Sequence, residues 1–285
     1  MKLVLSRKGF DSSTGGVPSP IFPDGSMVSL PIPDKTSAIT YGDIRHKGAP
    51  LAPVVAHLTT GRIAPHYGAH LDPDVVAPAL VRQPGWRPLF GQTGPAQGHL
   101  KNHCVGAGDL FLFFGLFRRL EDQAKSLWWA ADAAPCHVLW GWLQVAEVIQ
   151  IDQLPAETIK WARYHPHFQR RGGANNTLYI ARKRLMLAYQ NCADILGAGV
   201  FPNFSLNLQL TETGSRRASL WSLPPWFNPS SRRPPLTYHA NTQRWKKMAG
   251  TVKLLAASRG QEFILDCDHY PEAISWVYEL ISTNQ

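Results

Sequence analysis

Cysteine is scarce: Cys104, Cys136, Cys192 and Cys267 are scattered through 285 residues with no CxxC pair. That excludes a zinc ribbon and a disulfide framework and reads as small buried thiols. Long hydrophobic runs are missing too. The longest candidate, Leu110 to Phe117, is broken by Gly115 and stops at Arg118-Arg119, short of the roughly 18 apolar residues that span a membrane. The start, Met1 to Lys8, is too short and too soon polar for a secretory signal, so the expectation is a cytoplasmic protein with no membrane partner. There is no GxxxxGK[ST], no GxGxxG after a strand, and no HxE with a downstream PCxxC. ATP, NAD and zinc-deaminase chemistry are therefore unsupported, and no cofactor and no metal are expected.

What is present is a globular composition, 44% apolar and 17% charged, with a net charge of +9. The charge is concentrated. Between Arg163 and Lys253 lie 14 bases against only Asp194 and Glu212, so this block is more positive than the whole chain. Arginine outnumbers lysine in it, and Arg163, Arg170, Arg171, Arg216, Arg217, Arg232, Arg233, Arg244, Lys246 and Lys247 read as phosphate contacts, because the guanidinium fork pairs bidentately with phosphate oxygens. Aromatic residues run through the same block, among them Trp161, Tyr164, Phe168, Tyr179, Trp221, Trp226, Tyr238 and Trp245, as stacking on unpaired bases requires. The opposing reading, aromatics in a core beneath a solvated face, stands beside it. The expected partner is DNA, held by a basic portion at about 163–253.

Alternation and β-branched content predict strands at Lys2 to Ser6, Leu110 to Phe117, Cys136 to Ile151, Asn176 to Ala181, Val252 to Ala257 and Glu262 to Asp266. A turn at Pro23-Asp24-Gly25 predicts a returning strand at Met27 to Leu30. Helices are expected at Asp72 to Leu80, Pro155 to Tyr164 and Tyr270 to Ser282, and Ser222 to Pro235, with five prolines, is expected to be an extended loop. With no repeat and no clean linker, the fold class is α+β, one mixed domain over residues 1–285. The Gly-Asp turn at Gly108-Asp109 entering a strand, followed by the glycine-bearing aromatic strand around Gly141, has the pattern of a small curved β-barrel with flanking helices. Gly106 to Ile151 resembles the barrel of the PUA, ASCH and EVE superfamily.

A resemblance of nearly the whole chain is carried by Ser6-Arg7-Lys8-Gly9-Phe10-Asp11-Ser12-Ser13 with Gly15-Gly16-Val17-Pro18-Ser19-Pro20. It continues through His70-Leu71-Asp72-Pro73-Asp74, Gly85-Trp86-Arg87-Pro88, Gly98-His99-Leu100, Gly106 to Phe117, Asn176-Thr177-Leu178-Tyr179 and Arg259-Gly260-Gln261-Glu262-Phe263. In this order the segments resemble the third nucleotide-modification-associated domain family of bacteria and phages. The resemblance implies a connection to heavily modified DNA, by making, reading or attacking its bases.

The site residues follow from chemistry. Removing a base from DNA passes through an oxocarbenium-like state that one carboxylate can stabilise while it orients water. Asp11 is the expected acid, flanked by Lys8, Ser12, Ser13 and Gly15-Gly16 as phosphate donors. Its bland reading is an Asx-turn residue capping its own loop. Lys8 reads as a phosphate contact, with an amine nucleophile as the alternative. Phe10, Ser12, Gln97, His99, Asn102, His103 and Tyr179 are the expected base pocket, and His165, His167 and Asn176 are grouped with Arg170-Arg171 in a phosphate-contacting loop. His70, Asp72 and Asp74 are of metal-binding types, but helix capping by Asp72 explains them more simply. The expectation is a DNA glycosylase that flips out a hypermodified phage base and leaves an abasic site, in anti-phage defence. The alternatives are a non-catalytic reader signalling to a separately encoded effector, and an accessory enzyme of base modification.

Overall fold

The computed structural model describes residues 1–123, 126–154, 158–169, 175–258 and 260–285. Two continuous apolar runs set its centre. In β1 (Lys2–Arg7), Leu3, Val4 and Leu5 are fully buried, and in β4 (Leu110–Gln123) so are Leu110 to Phe114. Strands apolar on both faces must be covered on both faces. β1 and β4 accordingly lie side by side, parallel, at the middle of a nine-stranded sheet. The other members are β2 (Ser19–Ile21), β3 (Leu89–Gln92), β5 (Ser126–Trp129), β6 (Cys136–Gln150), β7 (Thr177–Ala181), β8 (Ala198–Val200) and β12 (Glu262–Asp266).

The path across the sheet is β12-β1-β4-β6-β7-β3, with β2 and β5 on the long β4 and β8 on β6. A bulge between Val145 and Glu147 lets β6 turn from β4 towards β7. Among the described residues this path is open, and no closed barrel forms. The α+β class therefore holds, while the sheet as described is an open path that does not confirm the PUA-like barrel.

A separate three-stranded sheet orders β9 (Leu220–Leu223), β11 (Val252–Leu255) and β10 (Trp245–Lys247). Among the described residues four helices flank the sheets: α1 (Ala52–Leu58), α2 (Gly94–Asn102), α3 (Pro166–Gln169) and α4 (Glu272–Asn284). In α4 the buried Ala273, Val277, Leu280 and Ile281 make one apolar stripe at helical spacing, as expected.

Elsewhere the expected elements change. Met27 to Leu30 makes only a single bridge, Ile21 to Met27. The expected helix at Asp72 to Leu80 shrinks to a 3-10 turn at Ala77–Ala79. The Asp74 backbone instead pairs with Leu89, N–H to O at 2.9 Å and back at 3.0 Å, which needs an extended chain. Pro155 to Glu157 fall outside the described residues, and the rest of that expected helix is a 3-10 turn at Lys160–Ala162. The cysteines carry no disulfide; Cys192 and Cys267 are buried, while Cys104 is exposed.

Candidate functional site

At one end of the main sheet the C-terminal ends of β1 and β3 meet the N-terminal end of β12 and the first turn of α2. They enclose a cavity of about 510 Å3 lined by Lys8, Asp11, Gln92, Thr93, Tyr238 and Gln261, with His70, Asp72 and His167 on its far wall. That volume lies within the range of about 300–1,000 Å3 common for ligand sites. Register explains the first group. Ser6 pairs with Glu262 across β1 and β12, so the residues that follow β1 emerge beside those that precede β12. The Lys8 ammonium donates to Glu262 Oε1 at 3.0 Å and lies 4.5 Å from the centre of the Phe90 ring, and the Gln92 amide donates to the same oxygen at 2.6 Å. Lys8 and Glu262 are both nearly buried, and Glu262 Oε2 accepts no hydrogen bond.

The far wall is a cluster of three imidazoles around one carboxylate whose side chain is 5% exposed. Asp72 Oδ1 accepts the Gly91 backbone N–H at 2.7 Å and lies 3.4 Å from His165 Nε2. Asp72 Oδ2 faces His167 Nε2 at 3.4 Å and His70 Nε2 at 3.7 Å. Both of the latter rings are oriented from behind. His70 Nδ1 meets Asp34 Oδ2 at 2.8 Å; His167 Nδ1 meets Asn176 Oδ1 at 2.6 Å, while the Asn176 amide donates to the His167 carbonyl at 2.8 Å. Burial alone would drive the Asp72 carboxyl upward, but the facing imidazoles of His165, His167 and His70 outweigh it and hold the carboxyl well below the usual carboxylate range. Burial lowers the pKa of His165. Asp34, hydrogen-bonded by His70, is also held low.

The chain reaches this arrangement through two anchors. Tyr164 donates its phenol to Asp74 Oδ2 at 2.5 Å, and Arg82 grips both Asp74 oxygens at 2.6 and 2.7 Å. That fastens the segment preceding His165 and turns Asp74 away from Asp72. Gly91 is required sterically: a Cβ there would lie 2.4 Å from the His167 ring.

The sequence-derived candidates divide. Lys8 and Asp11 line the cavity. Asp11 also behaves as the bland reading has it, its Oδ1 accepting from Ser13 N–H at 2.8 Å, Ser13 Oγ at 2.7 Å and Thr14 N–H at 2.7 Å. Phe10 is fully buried against Tyr41, Ser12 is exposed, and Tyr179 is buried on Phe90 with its phenol donating to Gln97 at 3.0 Å. His99 bonds Thr237 Oγ1 at 3.0 Å and packs on His103 and Tyr238; Asn102 is exposed at the end of α2. Phe10, Ser12, Gln97, His99, Asn102, His103 and Tyr179 thus all stand off the lining of the large cavity.

His165, His167 and Asn176 are corrected more sharply, because all three are buried. They build the Asp72 cluster and present no surface to a phosphate backbone. Arg170 and Arg171 lie outside the described residues. Arg163, Arg216, Arg217, Arg232, Lys246 and Lys247 are exposed, whereas Arg233 pairs with Glu272 at 2.8 Å and Arg244 donates to the Leu255 carbonyl at 2.9 Å. The signal that went unused was the His70-x-Asp72 pair taken with His167. In the sequence it competes with the adjacent Asp74, and only the α3 turn brings His167 across.

The fold is thus α+β, with a cavity walled by a histidine–carboxylate cluster. The chain belongs to the nucleotide modification associated domain 3 family, whose model matches residues 2–266. Membership ties it to nucleotide modification. Neither the curated proteins nor the solved structures contain a match. Among the described residues no helix is long and apolar enough to cross a membrane.

Proposed function

We propose that the chain takes a modified nucleotide of DNA into the 510 Å3 cavity and hydrolyses its N-glycosidic bond, excising the modified base. The observation that carries this reading is the convergence, in one cavity, of a buried ionised carboxylate with groups able to read a base. Asp72 is the carboxylate that stabilises the oxocarbenium-like state, a role that suits it better than Asp11, whose oxygen is engaged in its own turn. In this reading Gln92, Thr93 and Tyr238 meet the flipped base, and Lys8, paired with Glu262 at the cavity wall, turns to a phosphate when DNA enters. A reader has no need of a buried ionised cluster, which costs several kcal/mol of desolvation. Arg7, Lys8, Gly9 and Asp11 also line a second cavity of about 280 Å3 that reaches Ala218 and Ser219, next to Arg216 and Arg217. A DNA strand has a continuous course from the base site to that basic edge, and defence against phages carrying such bases fits the activity.

The test is to incubate the purified chain with phage DNA carrying hypermodified bases and with plain DNA, then to detect abasic sites with an aldehyde-reactive probe and released base by mass spectrometry. Abasic sites confined to modified DNA, and lost in Asp72→Asn, support excision. Tight binding of modified DNA with no released base would replace it with the reader.

A further inference from the structure

The wall formed by His70, Asp72 and His167 has a second property that stands without the excision reading. Their donor atoms all lie within 4.8 Å of one another, yet the separations from Asp72 Oδ2, 3.4 Å to His167 Nε2 and 3.7 Å to His70 Nε2, are longer than a charge-assisted hydrogen bond. A charge-assisted N–H···O bond closes to about 2.7–2.9 Å. Donors that share a metal ion at about 2.0–2.2 Å from each stand roughly 3.0–3.6 Å apart. The 3.4 Å separation falls in that range and the 3.7 Å one lies just above it, so a small closure of the cluster would bring the three donors around a common centre.

The surroundings agree. Both imidazoles turn Nδ1 to an acceptor, Asp34 Oδ2 for His70 and Asn176 Oδ1 for His167. In the neutral ring Nδ1 then carries the proton and Nε2 presents its lone pair to the centre. An acceptor behind the ring, here a carboxylate for His70 and an amide oxygen for His167, is how metal-binding imidazoles are held. The two oxygens of Asp72 also have separate tasks. Oδ1 is served by the Gly91 N–H, leaving Oδ2 for the centre. Finally, His165 is fully buried, and among the described residues its Nε2 has no partner nearer than Asp72 Oδ1 at 3.4 Å. A polar atom buried without a partner at this point marks a group the cluster is built to receive.

We infer that His70, Asp72 and His167 form a binding site for one divalent first-row transition ion, with His165 as a reserve imidazole beside it. Two imidazoles and one carboxylate without thiolate suit zinc or ferrous iron over copper(I), and over calcium or magnesium, which take all-oxygen shells. All three ligands line the cavity, so the remaining coordination positions open towards whatever occupies it. A water bound there is the nucleophile that the excision reading lacks.

The experiment is a Co2+ titration of the chelator-stripped full chain, with bound metal measured by elemental analysis and the ligand field by visible absorption. One equivalent should bind. Asp72→Asn and His167→Gln should each weaken binding by at least 100-fold, Asp34→Asn by about 10–100-fold, and exposed His269→Ala should change nothing. Should the ligand variants fail to fold, X-ray absorption of the Zn2+-loaded wild-type chain decides alone: a nitrogen–oxygen shell with two imidazoles supports the site. Folded, stripped chain that takes up less than about a tenth of an equivalent, or variants that bind as wild type does, would overturn it. Base release by stripped protein in excess chelator would also overturn the site as the source of the nucleophile and leave excision standing. Metal bound with no base released would do the reverse.

Discussion

The Asp72 wall and the basic face of the three-stranded sheet draw on the same stretch of sequence and end in opposite environments. His165, His167 and Asn176 are buried, each oriented by a neighbour, whereas Lys246 and Lys247 on β10 and Arg216 and Arg217 before β9 are exposed. In β10 and β11, Trp245 pairs with Leu254 and Lys246 with Lys253. Strand alternation therefore places the apolar pair with buried Trp221 and sends Lys246 and Lys253 to the other face. The difference shows that a residue's place in a charged block says little about its task. Histidine among arginines suits a solvated loop by composition, yet here its compact, packable ring goes inside.

The comparison breaks most visibly at Asp72. Asp72→Asn should cut base release by about 10^2- to 10^4-fold while DNA affinity stays within about twofold, measured by single-turnover assay and equilibrium binding. Equal losses in both would mean that the buried cluster and the DNA surface are one site. Gly91→Ala comes next. Its methyl group would strike the His167 ring, so destabilisation of about 1–3 kcal/mol and a fall of about 10^2-fold in release are expected, read by urea unfolding and the same assay.

On the exposed side, replacing Arg216, Arg217, Lys246 and Lys247 with alanine should weaken DNA binding. It should also reduce the slope of log K against log salt by about 0.9 for each phosphate no longer neutralised, without altering the single-turnover rate on saturating DNA. An unchanged slope would move the DNA surface elsewhere.

Two core histidines sharpen the contrast with the site. Burial holds His137 down to about 3, with Arg7 nearby adding to it, and burial holds His239 to about 4 against a hydrogen bond to the Thr237 carbonyl. His137 Nδ1 accepts from Trp221 at 2.9 Å and His239 Nε2 from the Ala257 N–H at 2.9 Å. The unfolded chain protonates near pH 6.5 and the folded chain does not. Their contribution to stability is therefore complete above about pH 6.5 and declines as pH falls towards 4 and then 3. Urea unfolding across that range should show it, and a flat profile would place both rings in contact with water. The smallest effect belongs to Asp11→Ala, which should lower Tm by a few degrees at most and leave base release intact. Loss of release there would restore Asp11 as the reacting acid.

Much of the fold was legible along the chain. β1, β7, β11, β12 and α4 fall where hydrophobic period and length place them, because both-face burial and a helical stripe write themselves into local sequence. Helix α2 was missed. Its Gly94-Pro95 start and polar content, Gln97, His99, Lys101 and Asn102, look like a loop, and it is held by packing of Leu100 into the core. The open sheet in place of a barrel was equally out of reach, since closure depends on which edges meet.

By itself the sequence determined the α+β class, the central strands, the concentration of positive charge and the family. Tertiary structure alone decided the site. Pairing of Ala69–His70 with Ile32–Pro33, the α3 turn at His167 and the Gly91 amide on β3 bring together residues 20 to 100 positions apart. No local periodicity records such a meeting. Burial then changed the surroundings: in a solvated loop the same histidines would be ordinary water-exposed imidazoles, and inside they are oriented around one carboxylate.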